Sequence, residues 1–191
     1  VSREKTRPQG VETMTATAED ESFVPALERS RPLLELVERI DDPVELFTVI
    51  EAAVAKAAVT TGRMASSSVE DIDAIVETTE RVRRRLDYVS AVQFTEVNDR
   101  GVDRASGYLS ARMYFALGQR LGPAEAKRRE ANAYQLSRLT SVLGESLDPK
   151  LPVVAAAVAD GVIGQGHVTV IYEAMKKIPG HYDTGVREAV E

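Results

Sequence analysis

Between residues 69 and 98 the chain returns to one face at alternating steps of three and four, through Ile72, Ile75, Thr79, Val82, Leu86 and Val89. That spacing follows the 3.6-residue turn, so it predicts one helix of about 30 residues, roughly 45 Å long. Ser68 stands at the expected cap, and Glu70, Asp71 and Asp73 face the positive end of the helix dipole. The short helices around it cannot cover such a length. Either the two helices before it fold back as a bundle, or the seam joins two chains in a homodimer through the helix 69–98. "RVRRR", Arg81 to Arg85, lies on this helix and invites a nucleic-acid reading. Consecutive residues radiate around a helix, however, and Glu77, Glu80 and Asp87 stand near enough to pair, which favours a solvated face.

The remaining composition agrees with an all-α multi-helix bundle carrying one long helix and helix-turn-helix-like hairpins. Tryptophan is absent, aromatic residues make up 5%, and Ala, Leu, Glu and Arg fall at helical spacing. Zero cysteines exclude disulfides, thiolate nucleophiles and Cys-type zinc sites; two histidines, His167 and His181, leave only carboxylate metal sites open. No metal, cofactor or catalytic residue is therefore expected. No run of about 18 apolar residues offers a membrane span, and the first twenty residues lack a secretory apolar centre, so no membrane association and a cytoplasmic location are expected.

Three regions are expected. Residues 1–22, without periodicity, read as a disordered tail, with Met14 a candidate true start. Residues 23–98 carry a helix from Phe23, interrupted or restarted near Pro32, a second from Asp42 and Pro43 to Gly62, and the long helix. Residues 99–191 form the third region.

Charge is placed unevenly: residues 1–99 hold 12 basic and 20 acidic side chains, residues 100–140 hold 8 and 3, and residues 141–191 hold 4 and 7. The middle is a basic island in an acidic chain. Within it, Tyr108, Leu109, Met113 and Leu117 make a helical stripe up to Leu121, Gly122 allows a turn, and Pro123 opens a second helix. Small Gly118 and Ala126 would let the two helices approach. In a DNA-binding helix-turn-helix the start of the second helix enters the major groove. Its outward candidates are Lys127, Arg128, Arg129, Asn132 and Gln135, flanked by Arg120 and Arg138; these residue types bind base edges and phosphates. An ordinary solvated helical hairpin shares the same spacing.

"DGVIGQGHV", residues 160–168, raises the question of a phosphate loop. Its flanks, "PKLPVVAAAVADG" and "QGHVTVIYEAMKKIP", read as helices, with no strand before the glycines, so Gly161 is expected as a left-handed C-terminal cap. Val162 and Ile163 would plug the turn, and His167 is expected to make an interhelical hydrogen bond rather than act as a base.

"LGPAEAKRREANA" followed by "LGESLDPKLPVVAAAVADGVIGQGHVTVIYEAMKKIP" resembles the helical domain of unknown function of the actinobacterial 13E12 repeat family, which usually precedes an HNH-endonuclease motif. Leu151, Pro152, Ala155 to Ala157, Gly161, Ile163, His167 and Val168 carry the resemblance, from about residue 70 onward, while Glu130 stands where the family tends to place an apolar residue. The same order resembles, more loosely, the helical DNA-binding region of partition proteins of the ParB type. The first domain has no assigned activity of its own; the second resemblance implies, by analogy, DNA as partner. The family's nuclease motif needs histidines, an asparagine and usually zinc-binding cysteines arranged around a ββα-metal unit, an arrangement this sequence lacks, so nuclease activity is not carried over. With its end at "GVREAVE" inside an ongoing helix pattern, the chain reads as a truncated or N-terminal-only member. The expected function is a DNA-binding or target-positioning module of a mobile-element protein of that type; a non-catalytic interaction or dimerisation scaffold is the alternative.

Overall fold

Helix starts fall where local chemistry asks for them. Asp42 accepts a hydrogen bond from the Val44 N–H at 2.7 Å, and Pro43, which has no N–H to satisfy, takes the first position of α2 (Pro43–Thr60). Before it, α1 (Phe23–Val37) runs on through Pro32 instead of restarting there. On an exposed helix the carbonyl that proline leaves without a donor can turn to water, so the break is tolerated. After a 3₁₀ stretch (Thr61–Ser66), the Ser68 hydroxyl accepts from the Asp71 N–H at 3.0 Å and α3 (Val69–Asp99) begins, matching the expected long helix. These elements belong to a computed structural model that describes residues 23–141 and 143–178, with 185 and 189 as single positions. The expected tail, 1–22, and His181 lie outside the described residues.

The chain divides into two compact units between Ile75 and Val76, inside α3, rather than at residues 98 and 99. In the first unit, α2 buries no residue despite its apolar composition. In the same unit Ile72 and Ile75 of α3 stay 37% and 41% exposed, so the expected bundle does not close over them; further along α3, Val82 and Leu86 are 41% and 38% exposed.

In the second unit the last third of α3 supplies the spine. Phe94 packs with Ala111, Phe115, Ala126 and Ala133, its ring stacked on Phe115 at 5.1 Å between centroids. Ala91, one turn earlier, closes a second cluster with Leu136, Leu151, Val154, Ala155, Val158, Val168 and Met175. After the single turn α4 (Val102–Ala105), Ser110 caps α5 (Ala111–Met113) by accepting from the Met113 N–H at 3.2 Å, and the helix widens into a π turn over Tyr114–Gly118. The buried face is Ala111 and Phe115, while Leu109, Met113 and Leu117, read as one apolar helical stripe, are exposed. A cap at Ser110 and the wide turn shift the helical phase that uniform spacing assumed. Gln119 to Gly122 then reverse the chain, with Arg120 at φ 56° and Gly122 at φ 80°, into α6 (Pro123–Leu136).

A two-residue ladder, β1 (Leu139–Thr140) against β2 (Ser146–Leu147), joins α6 to α7 (Pro152–Ala159) and α8 (Gln165–Met175). The glycine stretch is the α7–α8 turn. Gly161 has the expected left-handed φ of 75°, but sterics hold it as well: a Cβ there would lie 2.9 Å from the Arg81 Cγ and 3.0 Å from the Arg81 carbonyl oxygen. The Arg84 stem packs at Gly164, and Arg85 Nε donates to the Asp160 carbonyl at 3.3 Å. Arg81, Arg84 and Arg85 thus lay their stems over the turn, while the expected exposed pairing holds for Arg81 with Glu77 at 2.8 Å and Arg83 with Glu80 at 3.9 Å. Ile163 packs on the core as expected, whereas Val162 is exposed.

Gly161→Ala is expected to destabilise the protein by about 2 kcal/mol or more, because a left-handed alanine costs about 1–2 kcal/mol before the clash with Arg81 is added. A urea midpoint equal to that of the parent chain would refute the close docking of this turn.

Candidate nucleic-acid interface

α6 sorts its residues by helical phase. Ala126, Asn132, Ala133, Gln135 and Leu136 are buried, while Ala124, Lys127, Arg128, Ala131 and Tyr134 line the opposite, exposed face, which Arg138 continues just beyond the helix. Two alanines on that face keep it low around the two cations. Gly122 leads into the helix without a side-chain cap, and Glu125 occupies its first turn. Glu130 is part-buried and pairs with Arg112 at 2.7 Å, tying α6 to α5, so an acid stands where an apolar residue was expected because a cation faces it.

Glu125 is held by Arg128 at 2.7 Å and Arg129 at 3.0 Å. The hydrogen bond from Arg128 pulls the Glu125 carboxyl below its ordinary value, against the smaller opposing effect of burial, and the same bond raises the Arg128 guanidinium. Asp87 of α3 feels both arginines, yet its carboxyl is pushed up, chiefly by burial, with Glu125 adding to the rise. Arg128 therefore straddles the exposed face and an internal carboxylate network. Arg129, with a side chain only 29% exposed, belongs mainly to that network.

The sequence-derived candidates separate accordingly. Lys127 is exposed and has no ion-pair partner among the described residues; Arg128 and Arg138 are exposed and paired, the latter loosely with Asp148 at 3.4 Å; Arg120 is exposed in the turn. Asn132 and Gln135, expected to face outward, are instead 7% and 9% exposed. The Asn132 amide exchanges hydrogen bonds with that of Gln165 on α8, in one direction at 2.7 Å, while the main-chain carbonyl of Gln135 accepts from the Leu151 N–H at 3.1 Å. Both lie on the stripe that includes Leu136; for the buried Asn132 side chain the polar partner that burial demands is Gln165. His167 is exposed, without a side-chain hydrogen bond among the described residues, so the expected interhelical bond is not made. Gly118 meets Tyr108 rather than α6: a Cβ there would lie 3.0 Å from the Tyr108 hydroxyl.

Two residues escaped the sequence reading. Tyr134, seven positions after Lys127, shares its stripe and was visible from periodicity alone. Lys150, in the loop before α7, comes beside Tyr134 only through the fold, its Nζ 5.9 Å from the ring centroid.

Residues 73–191 match the family described as a domain of unknown function, DUF222. The chain belongs to that family. The DUF222 match begins in the first turns of α3, so it takes in the whole second unit and leaves α1 and α2 outside. Uncharacterized proteins of Mycobacterium tuberculosis are similar to it, one at 34% identity over 120 residues (62% of this chain, 28% of the relative). Another is 32% identical over 120 residues, covering 26% of its own length. A Mycobacterium bovis protein, also uncharacterized, is 38% identical over 85 residues, 44% of this chain and 19% of the relative. This chain thus spans little more than a quarter of the first relatives at most. No solved structure matches it. Among the described residues no three His, Cys, Asp or Glu side chains group as metal ligands, and no helix is long and apolar enough to cross a membrane.

Because Glu125 ionises more readily in the folded chain than near its ordinary 4.5, it contributes stability above that pH that is lost as the pH falls through its lowered folded value. Asp87, shifted upward, works in the opposite sense. Glu125→Gln is therefore expected to lower the melting temperature at pH 7 and to shrink the loss on acidification to pH 3. Parallel melting-versus-pH curves for the two proteins would show that the Arg128 contact does not stabilise the fold.

Proposed function

We propose that the DUF222 unit of this chain binds duplex DNA through the exposed face of α6, with α5 and its π turn as the supporting helix of a helix-turn-helix. The observation that carries this reading is the stripe of Ala124, Lys127, Arg128, Ala131 and Tyr134, which offers cations and small residues on one exposed side of a helix anchored on the other. A recognition helix needs that combination: a rigid mount, a low profile for entry into the major groove, and positive charge toward the phosphates. The basic balance of residues 100–140 points the same way. In the wider reading, the chain is the target-positioning part of a cytoplasmic mobile-element protein of the 13E12 repeat type, and an HNH nuclease motif would belong to the length by which such relatives exceed the match. The role proposed for these residues is binding, without catalysis.

Lys127→Gln together with Arg128→Gln should weaken duplex binding and flatten the slope of log K against log salt by about 1.8, at about 0.9 per phosphate contact. Arg129→Gln should leave the slope in place and lower the melting temperature instead, since Arg129 serves the internal network. Fluorescence anisotropy across a salt series measures both; wild-type affinity and slope in the double variant would end the α6 assignment.

The exposed seam of α3 favours a second reading, self-association between two copies. Val82→Asp should then abolish a concentration-dependent dimer in light scattering while leaving the melting curve of the chain intact. A parent protein that stays monomeric at every concentration sinks this reading.

A further inference from the structure

Beside the exposed face of α6 runs a groove of about 500 Å³ between α6 and α8, entered also by Lys150 from the loop before α7. Its carboxylates are already spent: Glu130 is held by Arg112 at 2.7 Å and Glu173 by Lys176 at 3.1 Å. Its two lysines, Lys127 on the α6 wall and Lys150 at the rim, have no carboxylate partner among the described residues. Tyr134, 49% exposed, lies beside Lys150. In the wall between the helices the Asn132 and Gln165 amides spend one N–H each on the other, so the half-buried Gln165 keeps a second N–H to give. The groove therefore has free hydrogen-bond donors and free positive charge while its negative groups are internally neutralised. A phosphodiester, which is all acceptor and carries one negative charge, meets that pattern.

We infer that the α6–α8 groove seats the sugar–phosphate backbone of bound DNA, with Lys150 and Tyr134 as contacts outside the helix-turn-helix. The inference rests on the DNA-binding reading of α6 and extends it. Lys127 belongs both to the groove wall and to the exposed face of α6, so a strand crossing that face continues into the groove. This continuity favours a polymer over free phosphate, which would satisfy the same donors. In homeodomains the C-terminal end of the recognition helix contacts the DNA backbone, and the fold brings Lys150 beside Tyr134, near that end of α6.

The test is duplex anisotropy over a salt series with the full chain and its Lys150→Gln, Tyr134→Ala, Lys127→Gln and Arg100→Gln variants, with melting curves to verify folding. Arg100, at the end of α3 and paired with Glu96 at 2.6 Å, lies outside the groove. Lys150→Gln should flatten the salt slope by about 0.9, Tyr134→Ala should weaken binding several-fold, and Arg100→Gln should change neither. If Lys127→Gln weakens binding while Lys150→Gln and Tyr134→Ala bind like the parent, the groove is wrong and the α6 reading survives. If the parent chain binds no duplex, both fail together. Inorganic phosphate at matched ionic strength that raises the melting temperature of the parent but not of Lys150→Gln, with DNA slopes unchanged, would overturn the backbone assignment in favour of a free-phosphate seat.

Discussion

Ala91 and Phe94 stand one helical turn apart on α3, and each closes a different hydrophobic cluster. The second unit depends on that pair. α6 is gripped by both clusters at once, through Ala126 and Ala133 on one side and Leu136 on the other, so its roll about its own axis is fixed twice. A helix fixed in this way presents the same face at all times, which is what a binding surface on a helix requires. The π turn before it, the left-handed residues Arg120 and Gly122, and the Arg112–Glu130 pair set the direction in which α6 leaves α5.

The charge near the start of α6 is less open to an anion than its arginines alone imply. A helix N-terminus attracts negative charge, but Glu125 already occupies the first turn and holds Arg128 and Arg129. An incoming phosphate must compete with that carboxylate for Arg128, whereas Lys127 is free of such competition. Specificity and affinity would then divide between neighbours, with the lysine adding attraction and the Glu125–Arg128 pair rewarding only a ligand able to replace one of its hydrogen bonds.

Local chemistry was legible in the sequence; long-range pairing was not. Asp42 with Pro43, Ser68 and Pro123 announce helix starts because a cap or a proline acts within its own turn. Gly161 announces a left-handed residue for the same reason. Nothing within ten residues tells that the Arg81 backbone presses on that glycine, or that Asn132 has Gln165 as partner 33 positions away, so two amides expected to face outward proved to be buried. His167 misled in the opposite direction, since residue type favours a partner that the fold does not bring among the described residues. The apolar stripe through Leu109, Met113 and Leu117 failed on phase, because a π turn and an unrecognised Ser110 cap break the uniform 100° step. The outward placement of Lys127 and Arg128 was legible because exposure on one helical face is a matter of local period.

Alanine fills many of the contact points in these clusters: Ala91, Ala111, Ala126, Ala133 and Ala155 are all nearly inaccessible. Alanine has no rotamers to lose, so helices joined through it pack without a side-chain entropy penalty, and their separation is set by backbone against backbone. Tolerance to change at such positions is one-sided. Nothing smaller than alanine except glycine is available, and every larger residue must push two helices apart. Drift in relatives of this chain should therefore concentrate on the exposed faces, with the spacing of the helices held constant beneath them.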